Sequence, residues 1–202
     1  MGKVINIFGD SIVWGAGDIE KNGWASRLKE DLKRENHNDT EVYNLGISGA
    51  DTDRLLRRFL VENEFRNPNV IIIAIGINDS QYIGSEDNPR VSLGKFEENL
   101  VEIIKQARGI AEDIVFIGLT KIDETKLMPI PWNPTLYSEE KNALIYNDKI
   151  KEVCEKNSLL FLDMQDLLDD SEFDDDGLHP NSKGHEKMFQ KIKNALVENK
   201  II

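Results

Sequence analysis

Five short runs of β-branched and apolar residues, each followed by a stretch with helical periodicity, restrict this chain to a narrow set of folds. The runs are Val4–Phe8, Glu41–Leu45, Val70–Ile75, Ile114–Leu119 and Leu159–Leu162. Most are apolar throughout instead of alternating, as suits strands of a parallel sheet covered on both faces. The intervening stretches carry one apolar face each. Trp24, Leu28 and Leu32 mark the first; Leu55, Leu56, Phe59 and Leu60 the second; Phe96, Leu100, Ile103, Ile104 and Ala107 the third. Ser138 is placed to cap a fourth that buries Leu144, Ile145, Ile150 and Val153, and Met188, Phe189, Ile192 and Leu196 mark the last. Strand and helix alternate five times. That order predicts an α/β fold, a three-layer α/β/α sandwich on a central five-stranded parallel sheet with right-handed crossovers. No solenoid repeat or low-complexity linker interrupts it, so residues 1–202 are read as one domain.

Ligands of open α/β sheets bind at the carboxyl ends of the strands. The first run ends there in Gly9-Asp10-Ser11, which makes Ser11 a candidate nucleophile. Activating a serine requires a base, usually histidine at neutral pH. Of the three histidines, His37 sits in a polar turn at the opposite edge, and His185 lies in the opening of the last helix, where a partly exposed structural role fits it. His179, in Asp176-Gly177-Leu178-His179-Pro180, falls between the fifth strand and the last helix, at the correct edge. Pro180 would fix that turn and start the helix. Asp176, three residues before His179, can fold back onto the ring Nδ1–H and orient it. Asp174 and Asp175 compete on composition, and spacing favours Asp176.

Cleaving an ester also requires donors aimed at the developing oxyanion. Gly46-Ile47-Ser48-Gly49 follows the second strand and precedes Asp51, a plausible helix N-cap; backbone N–H groups can approach a substrate closely there. Gly76-Ile77-Asn78-Asp79 follows the third strand and supplies a neutral amide donor. Ser48 is a rival nucleophile, but nothing directs a base toward it. Two connections, Ile77–Ser92 and Thr120–Tyr137, are too long for simple turns and leave the same sheet edge. The second holds Pro129, Pro131, Trp132 and Pro134, a composition for a stiff wall. Trp132 is a candidate substrate contact. Trp14, three residues after Ser11, either lines the pocket or packs under the first helix, with packing favoured.

These four segments resemble the GDSL, or SGNH, hydrolase family. Gly9–Ser11, Gly49, Gly76-x-Asn78-Asp79 and Asp176-x-x-His179 match its four blocks in order, the first with isoleucine where the family has leucine. The resemblance implies a flavodoxin-like sandwich and a serine hydrolase of carboxylic esters working through an acyl-enzyme. Lysophospholipase-like chemistry and carbohydrate O-deacetylation are both within its range. It implies Ser11 as nucleophile, His179 as base and Asp176 as its orienter. The Ser11 and Gly49 backbone N–H groups and the Asn78 side chain would form the oxyanion hole. It implies no metal and no organic cofactor. A catalytically silent binding module on the same fold is the alternative.

Other chemistries fit poorly. The glycines at 15 and 17 lack the third glycine of a dinucleotide loop, and no Walker phosphate loop occurs. Aligning Gly177 with the glycine of a calcium loop puts Lys183 where a bidentate acid is required. His179 and His185 lack zinc spacing, and Cys154 beside Val153 reads as a buried apolar residue. The net charge of −12 argues against nucleic acid and anionic membranes as partners. No apolar stretch is long enough to span a bilayer. The first apolar run is too short for a secretory leader, so a cytoplasmic location is the default expectation. The expected partner is a small-molecule ester.

Overall fold

The computed structural model describes residues 2–34 and 40–202. His37 lies outside them. In chain order the elements are β1 (Val4–Gly9), α1 (Ser11–Trp14), α2 (Gly23–Arg34), β2 (Glu41–Gly46), α3 (Thr52–Glu64), β3 (Val70–Ala74) and β4 (Tyr82–Ile83). There follow α4 (Leu93–Arg108), β5 (Asp113–Ile117), β6 (Leu136–Tyr137), α5 (Glu140–Lys156), β7 (Leu160–Leu162) and α6 (Ser182–Glu198).

The main sheet has five parallel strands in the order β2-β1-β3-β5-β7. The order reverses direction at β1, whose neighbours are β2 and β3, so the carboxyl end of β1 is the switch point where such sheets bind ligands. Helices cover both faces, and the expected α/β/α architecture is what the chain adopts. Ile5, Ile7, Phe8 and Ile71–Ile73 are fully buried, because β1 and β3 are internal strands packed on both sides. Each such side chain removed from water stabilises the fold by about 1.5–3 kcal/mol.

Several side chains fall elsewhere than the periodicity suggests. The edge strand β2 is largely solvated, only Val42 of its residues being fully covered, since it has a neighbour on one side alone. Leu60 of α3 is exposed. In α5, Leu144 and Ile145 are 40% and 39% exposed, and the helix instead buries Ala143, Tyr146, Asn147, Ile150, Val153 and Cys154. Asn147 belongs on that face because its Oδ1 accepts the Leu119 N–H at 2.9 Å. Ser138 is not the cap: Glu139 is the N-cap residue, and the Ser138 hydroxyl is buried without a partner among the described residues. Asn181, not Pro180, precedes α6, its side chain accepting from the Lys183 and Gly184 N–H groups.

The two long connections are tied to one another. Residues 82–83 and 136–137 pair as the antiparallel ribbon β4–β6, with the Tyr82 and Tyr137 rings stacked at 5.3 Å. Ile130 N–H donates to the Leu136 carbonyl and Gly84 N–H to that of Thr135. The two segments form one wall rising beside the switch point.

Candidate active site

β1 carries Gly9 to the sheet edge, and Asp10 turns the chain into α1 by accepting the Ile12 N–H at 2.9 Å. Burial pushes the Asp10 carboxyl up to about 6, against the Ile12 bond and the charges of His179 and Arg90, which lower it. Ser11, the first residue of α1, therefore has its position fixed from both the strand and the turn. Its Oγ lies 2.8 Å from His179 Nε2, and His179 Nδ1 lies 2.5 Å from Asp176 Oδ2. A carboxylate there can only accept, so Nδ1 carries the proton and Nε2 is left to accept from the serine hydroxyl. Asp176 Oδ1 accepts the Leu178 and His179 N–H groups at 2.8 and 2.9 Å. Burial alone would raise the Asp176 pKa, but these bonds hold it below the ordinary carboxylate value. Asp174 and Asp175 do not reach the ring: the Asp174 N–H pairs with the His179 carbonyl, and its carboxylate takes the Asp175 N–H.

A cavity of about 530 Å³ opens over this chain of bonds. Ser11, Ser48, Gly49, Asn78, Trp132 and His179 all line it. Gly49 has φ +72°, and a side chain there would meet nothing closer than Arg54 Nη1 at 3.9 Å. The glycine is required by backbone conformation, not by crowding. Asn78 is buried, its Nδ2 donating to the Ala50 carbonyl at 3.0 Å and retaining a second N–H. Ser48 is exposed, and among the described residues the His179 ring is bonded to Ser11 instead. Trp132 is 55% exposed with its ring 5.9 Å from that of His179, so its face borders the cavity. Trp14 neither lines the cavity nor packs under a helix. It is 58% exposed, because Ile12 and Val13 take the inward positions of the single turn α1.

His185 is fully buried, contrary to the expected partial exposure. Its Nδ1 accepts the Trp24 N–H at 3.2 Å and its Nε2 donates to the Ala16 carbonyl at 2.9 Å. Burial, countered by the Ala16 bond, lowers its pKa and keeps it neutral. It braces the loop after α1, whose Ala16 borders the cavity.

Three features escaped sequence reading. Gln81 and Thr135, from the two long connections, place polar side chains in the cavity. Arg90 also lines it. Asp79 joins the third strand's loop to α3: Oδ1 accepts both the Thr52 N–H (2.9 Å) and its hydroxyl (2.5 Å), and Asn99 donates to the same Thr52 hydroxyl. Asp79 Oδ2 is buried without a partner among the described residues, and burial, only partly offset by the Thr52 bonds, raises the pKa to about 7. The sign follows directly. Between the ordinary value of 3.8 and about 7 the folded chain binds a proton at Asp79 that the unfolded chain does not, so stability falls as pH rises through this window. Asp79→Asn, which keeps the acceptor for Thr52, is expected to lose that dependence. Urea midpoints measured from pH 5 to 8 should show the variant gaining on wild type as pH rises; parallel curves would refute the assignment.

The sequence model of the GDSL-like lipase/acylhydrolase family matches residues 7–187. The chain belongs to that family. Among its relatives, the human isoamyl acetate-hydrolyzing esterase 1 homolog is 26% identical over 216 residues, covering 96% of this chain and 81% of its own. Two solved structures share the fold. An acetylxylan esterase of Geobacillus stearothermophilus, Axe2, superposes with a TM-score of 0.76 at 20% identity, covering 95% of this chain and 93% of its own. LAE5, described as an alpha/beta hydrolase enzyme from the metagenome of Lake Arreo, Spain, gives 0.75 at 19% identity, covering 96% and 94%. No helix among the described residues is long and apolar enough to cross a membrane.

Proposed function

We propose that the protein is a serine esterase that removes small acyl groups, acetyl foremost, from an alcohol or sugar. The observation that carries this reading is the continuous bond chain Ser11–His179–Asp176 opening into one cavity with Gly49 and Asn78. Ser11 Oγ attacks the ester carbonyl while His179 Nε2 takes its proton, and Asp176 stabilises the imidazolium. The Ser11 and Gly49 N–H groups and the free Asn78 N–H receive the negative charge on the carbonyl oxygen. His179 returns the proton to the departing alcohol. Water, deprotonated by the same imidazole, then cleaves the acyl-serine and restores Ser11.

The acyl preference draws on the relatives. The human relative is named for isoamyl acetate and Axe2 for acetylated xylan; the two names share the acetyl group and differ in the alcohol. Catalytic mutants of Axe2 replace a serine, an aspartate or a histidine, and the last two lie three residues apart, as Asp176 and His179 do. The cavity suits a compact polar alcohol better than a long chain, since Gln81, Arg90, Asn133 and Thr135 interrupt its apolar lining. The unbroken bond chain supports the enzyme over a silent binding module.

A fluorophosphonate probe should label wild type and leave Ser11→Ala unlabelled; a folded wild type that resists labelling would sink the esterase reading. Across p-nitrophenyl esters of increasing length, kcat/KM should peak at acetate, and a maximum at eight carbons or longer would replace the acetyl assignment with a lipase-like one. Asn78→Ala should cost on the order of a hundredfold in turnover with folding intact. An unchanged rate would remove Asn78 from the oxyanion hole.

A further inference from the structure

We propose that Arg90 is a positioning residue that locks both of the oxyanion donors lying outside the nucleophile's own loop, Gly49 and Asn78. The proposal rests on the esterase reading above. Arg90 stands two residues before Ser92, the N-cap of α4, where its own N–H is anchored to the Gln81 carbonyl at 2.7 Å. Its side chain is only 14% exposed, and the guanidinium reaches four groups. Nη2 donates to the Gly49 carbonyl at 2.5 Å and pairs with Asp51 Oδ2 at 3.1 Å. Nη1 donates to Gln81 Oε1 at 2.9 Å and makes a longer contact, 3.4 Å, with Asn78 Oδ1.

Each grip answers a specific weakness. Gly49 at φ +72° has no side chain to hold it, so the direction of its N–H depends on what restrains the neighbouring backbone. Two charged donors meet its carbonyl, Arg90 Nη2 and, at 3.2 Å, the exposed Arg54 Nη1; Arg90, buried and kept in place by Asp51, is the shorter and firmer restraint. Asn78 has the opposite weakness. An asparagine amide can rotate by half a turn and exchange its oxygen for its nitrogen. With the oxygen toward Arg90 and one N–H on the Ala50 carbonyl, the second N–H is left for the cavity that Asn78 lines. In the reverse orientation an NH2 would meet a guanidinium and a carbonyl oxygen would meet the Ala50 carbonyl, two repulsive contacts at once. Arg90 thereby enforces the donor orientation. A lysine, with one compact ammonium, cannot span these acceptors.

The test is a double-mutant cycle with p-nitrophenyl acetate: wild type, Arg90→Met, Asn78→Ala and the pair, each with kcat and KM measured separately. Arg90→Met should lower kcat on the order of a hundredfold, a donor's worth, and change KM less than about threefold. In the Asn78→Ala background the same substitution should cost less than about tenfold, because one of the two donors it positions is gone. Arg90→Lys, which preserves the charge, should recover little of the rate. Equal losses in both backgrounds, a loss confined to KM, or full activity in Arg90→Lys would overturn the assignment. Should Arg90→Met fail to fold, Arg90→Lys carries the same cycle. Fluorophosphonate labelling of wild type at Ser11 separates the two failures: unlabelled wild type defeats the esterase reading, whereas labelled wild type with additive losses defeats only the role of Arg90.

Discussion

Replacing His179 with alanine is expected to lower p-nitrophenyl acetate turnover at neutral pH by about three orders of magnitude or more. Among the described residues the imidazole is the base bonded to the serine: its Nε2 is 2.8 Å from Ser11 Oγ, and no second histidine there contacts that oxygen. His185 is committed to Trp24 and Ala16. The variant should fold, because Asp176 Oδ1 binds backbone N–H groups that the substitution leaves in place. Circular dichroism would establish the fold and steady-state kinetics the rate. Near-normal turnover in a folded His179→Ala protein would mean that another group activates the serine.

The largest effect on stability is expected at Gly9, from Gly9→Ala. A Cβ there would stand 2.3 Å from the Ala74 carbonyl oxygen and 2.3 Å from Val13 Cγ2. The carbonyl belongs to β3, which pairs with β1 in register at this position, so it cannot retreat without opening the sheet. Trimming Val13 would relieve only half of the clash. The cost should reach about 3 kcal/mol or more, at the upper end of overpacking effects. A urea titration measures it; an unchanged midpoint would show that the strand can shift to make room. This glycine lets α1 lie directly on the end of β1, which is what holds Ser11 beside the sheet.

How much of this was legible in the sequence depended on which forces acted on each segment. The internal strands β1, β3 and β5 announced themselves because burial on both faces demands continuous apolar runs. That Ser11, Gly49, Asn78 and His179 would meet was legible because their segments leave the carboxyl edge of the sheet, where they line one cavity. The periodicity of α5 misled, since Leu144 and Ile145 are apolar yet exposed, while Asn147 is polar and buried through a backbone bond from Leu119. No local pattern encodes that bond. His185 reads like a helix-surface residue until Trp24 and Ala16, more than 160 positions away, arrive to satisfy its two nitrogens. Arg90 was silent for a related reason. It sits in an irregular loop without periodicity, and its partners lie either at the far end of that same loop, Asn78 and Gln81, or in the loop after β2, Gly49 and Asp51. The one available hint was a lone arginine in an otherwise long connection leaving a strand's carboxyl end.

The β4–β6 ribbon has a consequence for how such a site can change. Because it stitches the loops after β3 and β5 into one body, a residue altered in either loop shifts a surface that both support, while the bond chain at Ser11 rests on β1 and on the segment before α6. The ribbon wall and the Ser11–His179–Asp176 bond chain thus stand on separate scaffolds, with Asn78 and Arg90, on the connection that carries β4, lying between them. An exchange at the ribbon's tip would alter the wall and leave the bond chain standing, whereas one at its base would reach Asn78 as well.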